Sequence, residues 1–170
     1  MLALDYRLAI GDMQGQVYVG DMARVRLFAA AGGEDRHDLL ASAGTAALRA
    51  GIMSLAWWPV DTALFASGDA RGGIVIWDAE AVRPVARVSV PAPVYHLAFP
   101  DPTAGAFHLA QAKLTHQHGA RTEAPILSML GIACGSTDLH VLSTFTPSVV
   151  RTFAGHSAAI QTLAWSPSYV

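Results

Sequence analysis

Apolar and polar positions along the chain alternate in short runs, with none of the wide stripes at helical spacing. Three runs, 52–56, 94–98 and 160–164, end in one shared phrase: Leu55-Ala56-Trp57 before Pro59, Leu97-Ala98-Phe99 before Pro100, and Leu163-Ala164-Trp165 before Pro167. Short apolar runs closed by proline read as β-strands, because proline cannot donate to a strand ladder and marks where it stops. The step from Trp57 to Phe99 is 42 residues, inside the ~40 to 45 residues of a four-stranded propeller blade. The step from Phe99 to Trp165 is 66, so that unit carries an insertion, assigned to 101–124.

The clearest unit yields its strands in order. Residues 52–59 form the first and 64–68 the second. Asp69-Ala70-Arg71-Gly72-Gly73 makes a tight hairpin, since glycine reaches positive φ without a Cβ clash. Residues 74–78 (Ile-Val-Ile-Trp-Asp) are the third strand, apolar on both faces as stacked blades require. Residues 85–90 are the fourth, before Pro91 and Pro93. Upstream, 6–10 and 16–21 read as the second and third strands of an earlier blade whose first strand is not in the chain. A weak fourth strand is expected at 24–28, followed by a long connection over 29–50. Downstream, 125–134, 139–142 and 149–153 complete the third unit, and a new first strand opens at Ile160. The predicted fold class is therefore all-β: a partial β-propeller of about three four-stranded blades, open at both ends. Its parts are a blade fragment at 4–28, a blade at 52–90, a blade at 94–153 and the start of another at 156–170. Apolar faces such as Val75 with Trp77, and Leu163 with Trp165, are expected to meet water at the open ends, which makes the chain aggregation-prone.

Charge and cysteine content narrow the function classes. Against 13 acidic residues stand 11 basic ones, for a net charge of -2, so no basic field is available for nucleic acid or an anionic membrane. No apolar run reaches the ~18 residues of a membrane span. A lone cysteine, Cys134, closes no intramolecular disulfide and fits a reducing compartment. On its apolar strand it reads as a small buried hydrophobe.

Trp77-Asp78 at the end of a third strand, and Gly155-His156 nine residues before Trp165, spell the signature of the WD40 repeat. Together with Trp57, Ser67 and Trp165 these residues form the structural signature of the chain. In a complete WD40 blade a His, a Ser or Thr, a hairpin Asp and the Trp form one buried hydrogen-bond chain. Here the hairpin position six residues before Trp77 is Arg71, and the position nine before Trp57 is Leu48. Trp77 is accordingly expected to lack that chain, with Arg71 pointing to solvent on the binding rim. Arg71 and Ser157 are the candidate protein-binding residues.

Trp57-Trp58-Pro59-Val60-Asp61-Thr62, with Phe65, Ser67 and Val75-Ile76-Trp77-Asp78 after it, resembles the Trp-Tyr-Pro-x-Asp-Thr and Val-Trp-Asp phrases of the Cockayne syndrome group A family. Val94-Tyr95, Gly155-His156 and Trp165-Ser166-Pro167-x-Tyr169 follow in that family's order, and residues 15–21 are similar too. The resemblance spans nearly the whole chain and the middle of that family's seven-bladed propeller. It implies a nuclear substrate receptor of a cullin-4 RING ubiquitin ligase, acting in transcription-coupled nucleotide excision repair. The implied partners are the ligase adaptor, which is the large subunit of the damaged-DNA-binding complex, and a repair- or transcription-associated substrate. The Trp-Asp-x-Arg docking arginine of such receptors is matched here by Glu80; in the resembled family it falls in the blade opening at Ile160. A general WD40 interaction scaffold without a ubiquitin link is the alternative.

Other chemistries find little footing. His116-Gln117-His118 with His108 has only Glu123 nearby to complete a metal set, so the segment reads as a solvated loop. The hairpin at 69–73 lacks the Gly-Lys-Ser/Thr ending of a phosphate loop and precedes a strand. No nucleophile elbow, zinc-protease motif or spaced carboxylate pair is present. The expectation is a non-catalytic chain with no cofactor and no metal.

Overall fold

A computed structural model describes residues 7–21, 40–42, 50–81, 83–101 and 128–166. They form eleven strands in three antiparallel sheets, and no helix among them is long and apolar enough to cross a membrane. The first sheet holds β1 (Arg7–Gly11), β2 (Val17–Asp21) and β3 (Leu40–Ser42) in that order. The second runs β4 (Ile52–Trp57), β5 (Leu64–Asp69), β6 (Gly73–Asp78) and β7 (Arg83–Ser89). The third runs β8 (Val94–Ala98), β9 (Met129–Cys134), β10 (Leu139–Ser143) and β11 (Ser148–Phe153). Each is an up-and-down meander, the sheet form of one blade.

The second and third sheets repeat each other down to their irregularities. Ladders shift register between Ile52 and Ser54 in β4, and between Val94 and His96 in β8. They shift again between Ile76 and Trp77 in β6, and between Val141 and Leu142 in β10. The same two bulges in both blades set the same local twist. They also place Leu142 where the second blade has Trp77, although the two side chains share no sequence signal.

Two apolar cores lie between the blades. Val17 and Val19 of β2 meet Phe65, Val75, Trp77 and Ala79, with Ala9, Ile52, Leu55 and Trp57 alongside. Ala66, Ile74 and Ile76 of the second blade meet Val94, Leu97, Leu130, Ile132 and Leu142 of the third. The expectation that Val75 and Trp77 face water is therefore corrected: both are fully buried, because β2 covers that face of the blade.

The first blade also departs from the sequence reading. The strand on the far edge of β2 is Leu40–Ser42, where Tyr18, Val19 and Gly20 pair with Ser42, Ala41 and Leu40. This blade thus extends beyond residue 28, into the stretch read as a connection; the expected strand at 24–28 lies outside the described residues. Loop-closure entropy rises only slowly with length, so a distant segment can take a free edge that local pattern assigns to a nearer one. β7 begins at Arg83, two residues earlier than expected, with Pro84 opposite Trp77. Its outer edge tolerates a residue without an N–H. Residues 160–166, read as a new first strand, make no strand ladder among the described residues. The insertion 101–124 falls, after Asp101, outside the described residues.

Candidate protein-interaction site

The meander sends its connections alternately to two rims. One rim carries the turns after β1, β5 and β9 together with the links 90–93 and 154–159. The other carries 58–63, 79–81 and 144–147.

A carboxylate caps each hairpin of the second blade. Asp61 Oδ1 accepts the Ala63 N–H at 2.9 Å. Asp69 Oδ1 accepts the Arg71 and Gly73 N–H groups, both at 2.7 Å. Asp78 Oδ1 accepts those of Glu80 and Ala81, both at 2.9 Å. Asp12 repeats the Asp69 geometry in the first blade, holding the Gln14 and Gln16 N–H groups at 2.9 and 2.8 Å. In the third blade serines do this work: Ser136 Oγ takes the Asp138 N–H, and Ser143 Oγ that of Thr146. Side chains of this length return to their own backbone and fix a turn without a strand partner.

Asp69 also changes the reading of its hairpin. Of its two glycines only Gly72 has positive φ, at 87°, as Gly15 has in the first blade at 84°. Gly73 is needed for space, since a Cβ there would sit 2.5 Å from Asp69 Oδ2. The cap stands two residues before Arg71, at a position the WD40 pattern does not use. Gly11-Asp12-x-x-Gly15 and Gly68-Asp69-x-x-Gly72 are one phrase, and this repeat is the signal that would have revealed it.

Of the hydrogen-bond chain of a complete WD40 blade, Trp77 has the serine link. Its indole N–H donates to Ser67 Oγ at 2.7 Å inside the core between the first two blades, and its ring stacks on Phe65 with centroids 6.0 Å apart. The link arises because Ser67 and Trp77 lie on adjacent, paired strands and point to the same face. Arg71 is exposed on the first rim. Ser157 is also exposed and belongs by topology to that rim, as do Gly155 and His156; Gly155 has open space where a Cβ would be. Trp57 packs on Phe65 at 5.1 Å, and Trp165 donates its indole N–H to the Ala98 carbonyl at 2.8 Å. Asp78 faces Arg83 at 3.7 Å on the second rim. Hydrogen bonds from the Ala81 and Glu80 amides, with the Arg83 charge, hold its carboxyl below the ordinary carboxylate range against a smaller opposing effect of burial.

The second rim carries an aromatic group that the sequence reading passed over. Trp58 stacks near Phe99 at 6.4 Å and meets Phe145 edge-on at 6.5 Å, joining two blades. Phe145 is 63% exposed and Val60 53%. Cys134 is buried beside Ser136 Oγ at 3.1 Å. Among the described residues no three His, Cys, Asp or Glu side chains gather as a metal set. His108, His116, His118 and Glu123 lie outside them.

No sequence profile of a known family matches the chain, and no curated protein matches it in sequence. Its structure is similar to that of Sqt1 of Saccharomyces cerevisiae, a WD40 protein, with a TM-score of 0.61 and 17% identity. The match covers 91% of this chain, which spans 32% of the Sqt1 chain. The fold is thus WD40-like, and 900 solved chains share a structural likeness to it, which selects an architecture and not one activity.

Proposed function

We propose that this chain is a non-catalytic docking module, in which blades stacked on apolar cores hold short, capped rim loops for protein partners. The carrying observation is the division of labour among side chains. Carboxylates and serines near the hairpins are spent on their own turns, while Met13, Arg71 and Thr137 on one rim, and Val60 and Phe145 on the other, stand in solvent. Variable side chains on rigidly held loops are the usual means by which a scaffold of this kind recognises a partner.

A narrower reading is supported by the residues 57–62 and 75–78 and their resemblance to the Cockayne syndrome group A family. On it the protein is a nuclear substrate receptor of a cullin-4 RING ubiquitin ligase in transcription-coupled repair. Arg71 and Ser157 then lie on the rim that meets the substrate or the ligase adaptor. Affinity capture of the full-length gene product with the purified adaptor, the large subunit of the damaged-DNA-binding complex, tests it. Retention of the adaptor, weakened by Arg71→Glu, is the expected result. Capture of other nuclear proteins with no adaptor leaves the general docking module and removes the ligase reading.

A further inference from the structure

We propose that His96 is a proton-controlled latch that holds residues 160–166 on the third blade. The residue just before each Leu-Ala-aromatic phrase is Ser54, His96 or Thr162. Each of the first two accepts the amide of the leucine one repeat further on: Leu97 N–H donates to Ser54 Oγ at 3.0 Å, and Leu163 N–H to His96 Nδ1 at 3.3 Å. The seam between the second and third blades and the seam after the third are therefore pinned by one device with different chemistry.

A serine oxygen keeps its acceptor lone pairs at any pH a protein meets. An imidazole nitrogen accepts only while unprotonated, and the ring changes charge between about pH 5 and 8. A backbone amide can only donate, so the docked Leu163 requires a bare Nδ1 and a hydrogen on Nε2. The Thr162 hydroxyl lies 2.9 Å from the same nitrogen and, in this tautomer, can donate to it as well. A proton on Nδ1 would confront the Leu163 N–H with another N–H.

Among the described residues, few other contacts hold the segment. Residues 160–166 pair in no ladder among the described residues. They rest on the Ile160 N–H near the Cys134 and Ser136 carbonyls at 3.2 Å, the Trp165 indole on the Ala98 carbonyl, and Leu163 against Gly131. Among the described residues, few titratable groups lie on the surrounding elements. β4 has none; Asp69 of β5 caps its own turn, Cys134 of β9 contacts Ser136, Tyr95 is the neighbour on β8, and His156 of the connection is exposed.

Amide hydrogen exchange on the 170-residue chain, corrected for the intrinsic pH dependence, tests the latch. Protection at Leu163 should fall about tenfold from about pH 8 to pH 5, the worth of one net hydrogen bond, while Leu97 on Ser54 stays constant. His96→Ser should keep Leu163 protected and flatten its profile. Nitrogen NMR of the ring needs no variant and should show the Nε2–H form at pH 8. A flat Leu163 profile in the native chain, an equal fall in His96→Ser, or a hydrogen on Nδ1 at pH 8 overturns the proposal.

Discussion

Asp12, Asp61, Asp69 and Asp78 show how much of this fold is written in single turns. Each carboxylate satisfies amides that a hairpin tip leaves without a ladder partner, so each fixes where a strand stops. The carboxyl of Asp78 is held low by the Ala81 and Glu80 amides and by Arg83. A carboxyl that binds its proton at lower pH in the fold than in the unfolded chain adds stability above the ordinary carboxylate range. That contribution is lost as the pH falls through the lowered folded value. Asp78→Asn should therefore be less stable than the native chain at neutral pH, with the gap closing below the carboxylate range. Paired denaturant titrations across pH 2 to 7 would check this; a constant gap would remove the charge from the explanation. Sequence made the Trp-Asp pair legible as a signature, but its Asp as a turn cap emerged only from the Oδ1 contacts.

At the level of strands and blades, close approach decides the spacing. Gly68 of β5 faces the next blade's inner strand, and a Cβ there would lie 2.4 Å from Val94 Cγ1 and 3.3 Å from Leu97 Cδ1. Gly11 meets Ile52 of the following blade in the same way, at 2.4 Å. Val94 is fully buried and branched at Cβ, so it cannot swing aside cheaply. Gly68→Ala should cost about 1–3 kcal/mol of overpacking, measured as a lower urea midpoint, with Val94→Ala in the same chain restoring part of the loss. An unchanged midpoint would mean that the blades can slide apart. Strands β4, β5, β6 and β8 were legible because their apolar runs and proline or glycine stops are local. β3 was not, since three residues, Leu-Ala-Ser, carry no strand signal and acquire one only by lying against β2.

Across the whole molecule, the two buried apolar cores and the exposed apolar residues define opposite tendencies. Leu8 and Ile10 of β1 are 44% and 40% exposed on the face turned away from the second blade. Exposed apolar side chains on a sheet face favour self-association. Replacing both with threonine should lower light scattering of the 170-residue chain at high concentration and leave its thermal midpoint within about 2 °C, surface changes being small in free energy. Unchanged scattering would move the sticky surface elsewhere, with Phe153 and Val150 of β11 next to be tested. The sequence by itself determined the all-β class, the 42-residue period, the order of strands in the second blade and the Trp77-Asp78 landmark. Those depend on neighbours within a few residues, or on a phrase repeated intact. Only the tertiary structure decided that β2 covers Val75 and Trp77, that Ser67 partners the indole, that Leu142 replaces Trp77 in the third blade and that His96 takes the place of Ser54. Each of these is a contact between segments far apart in the chain, and the residue types involved are common enough to carry no signal until the blades are stacked.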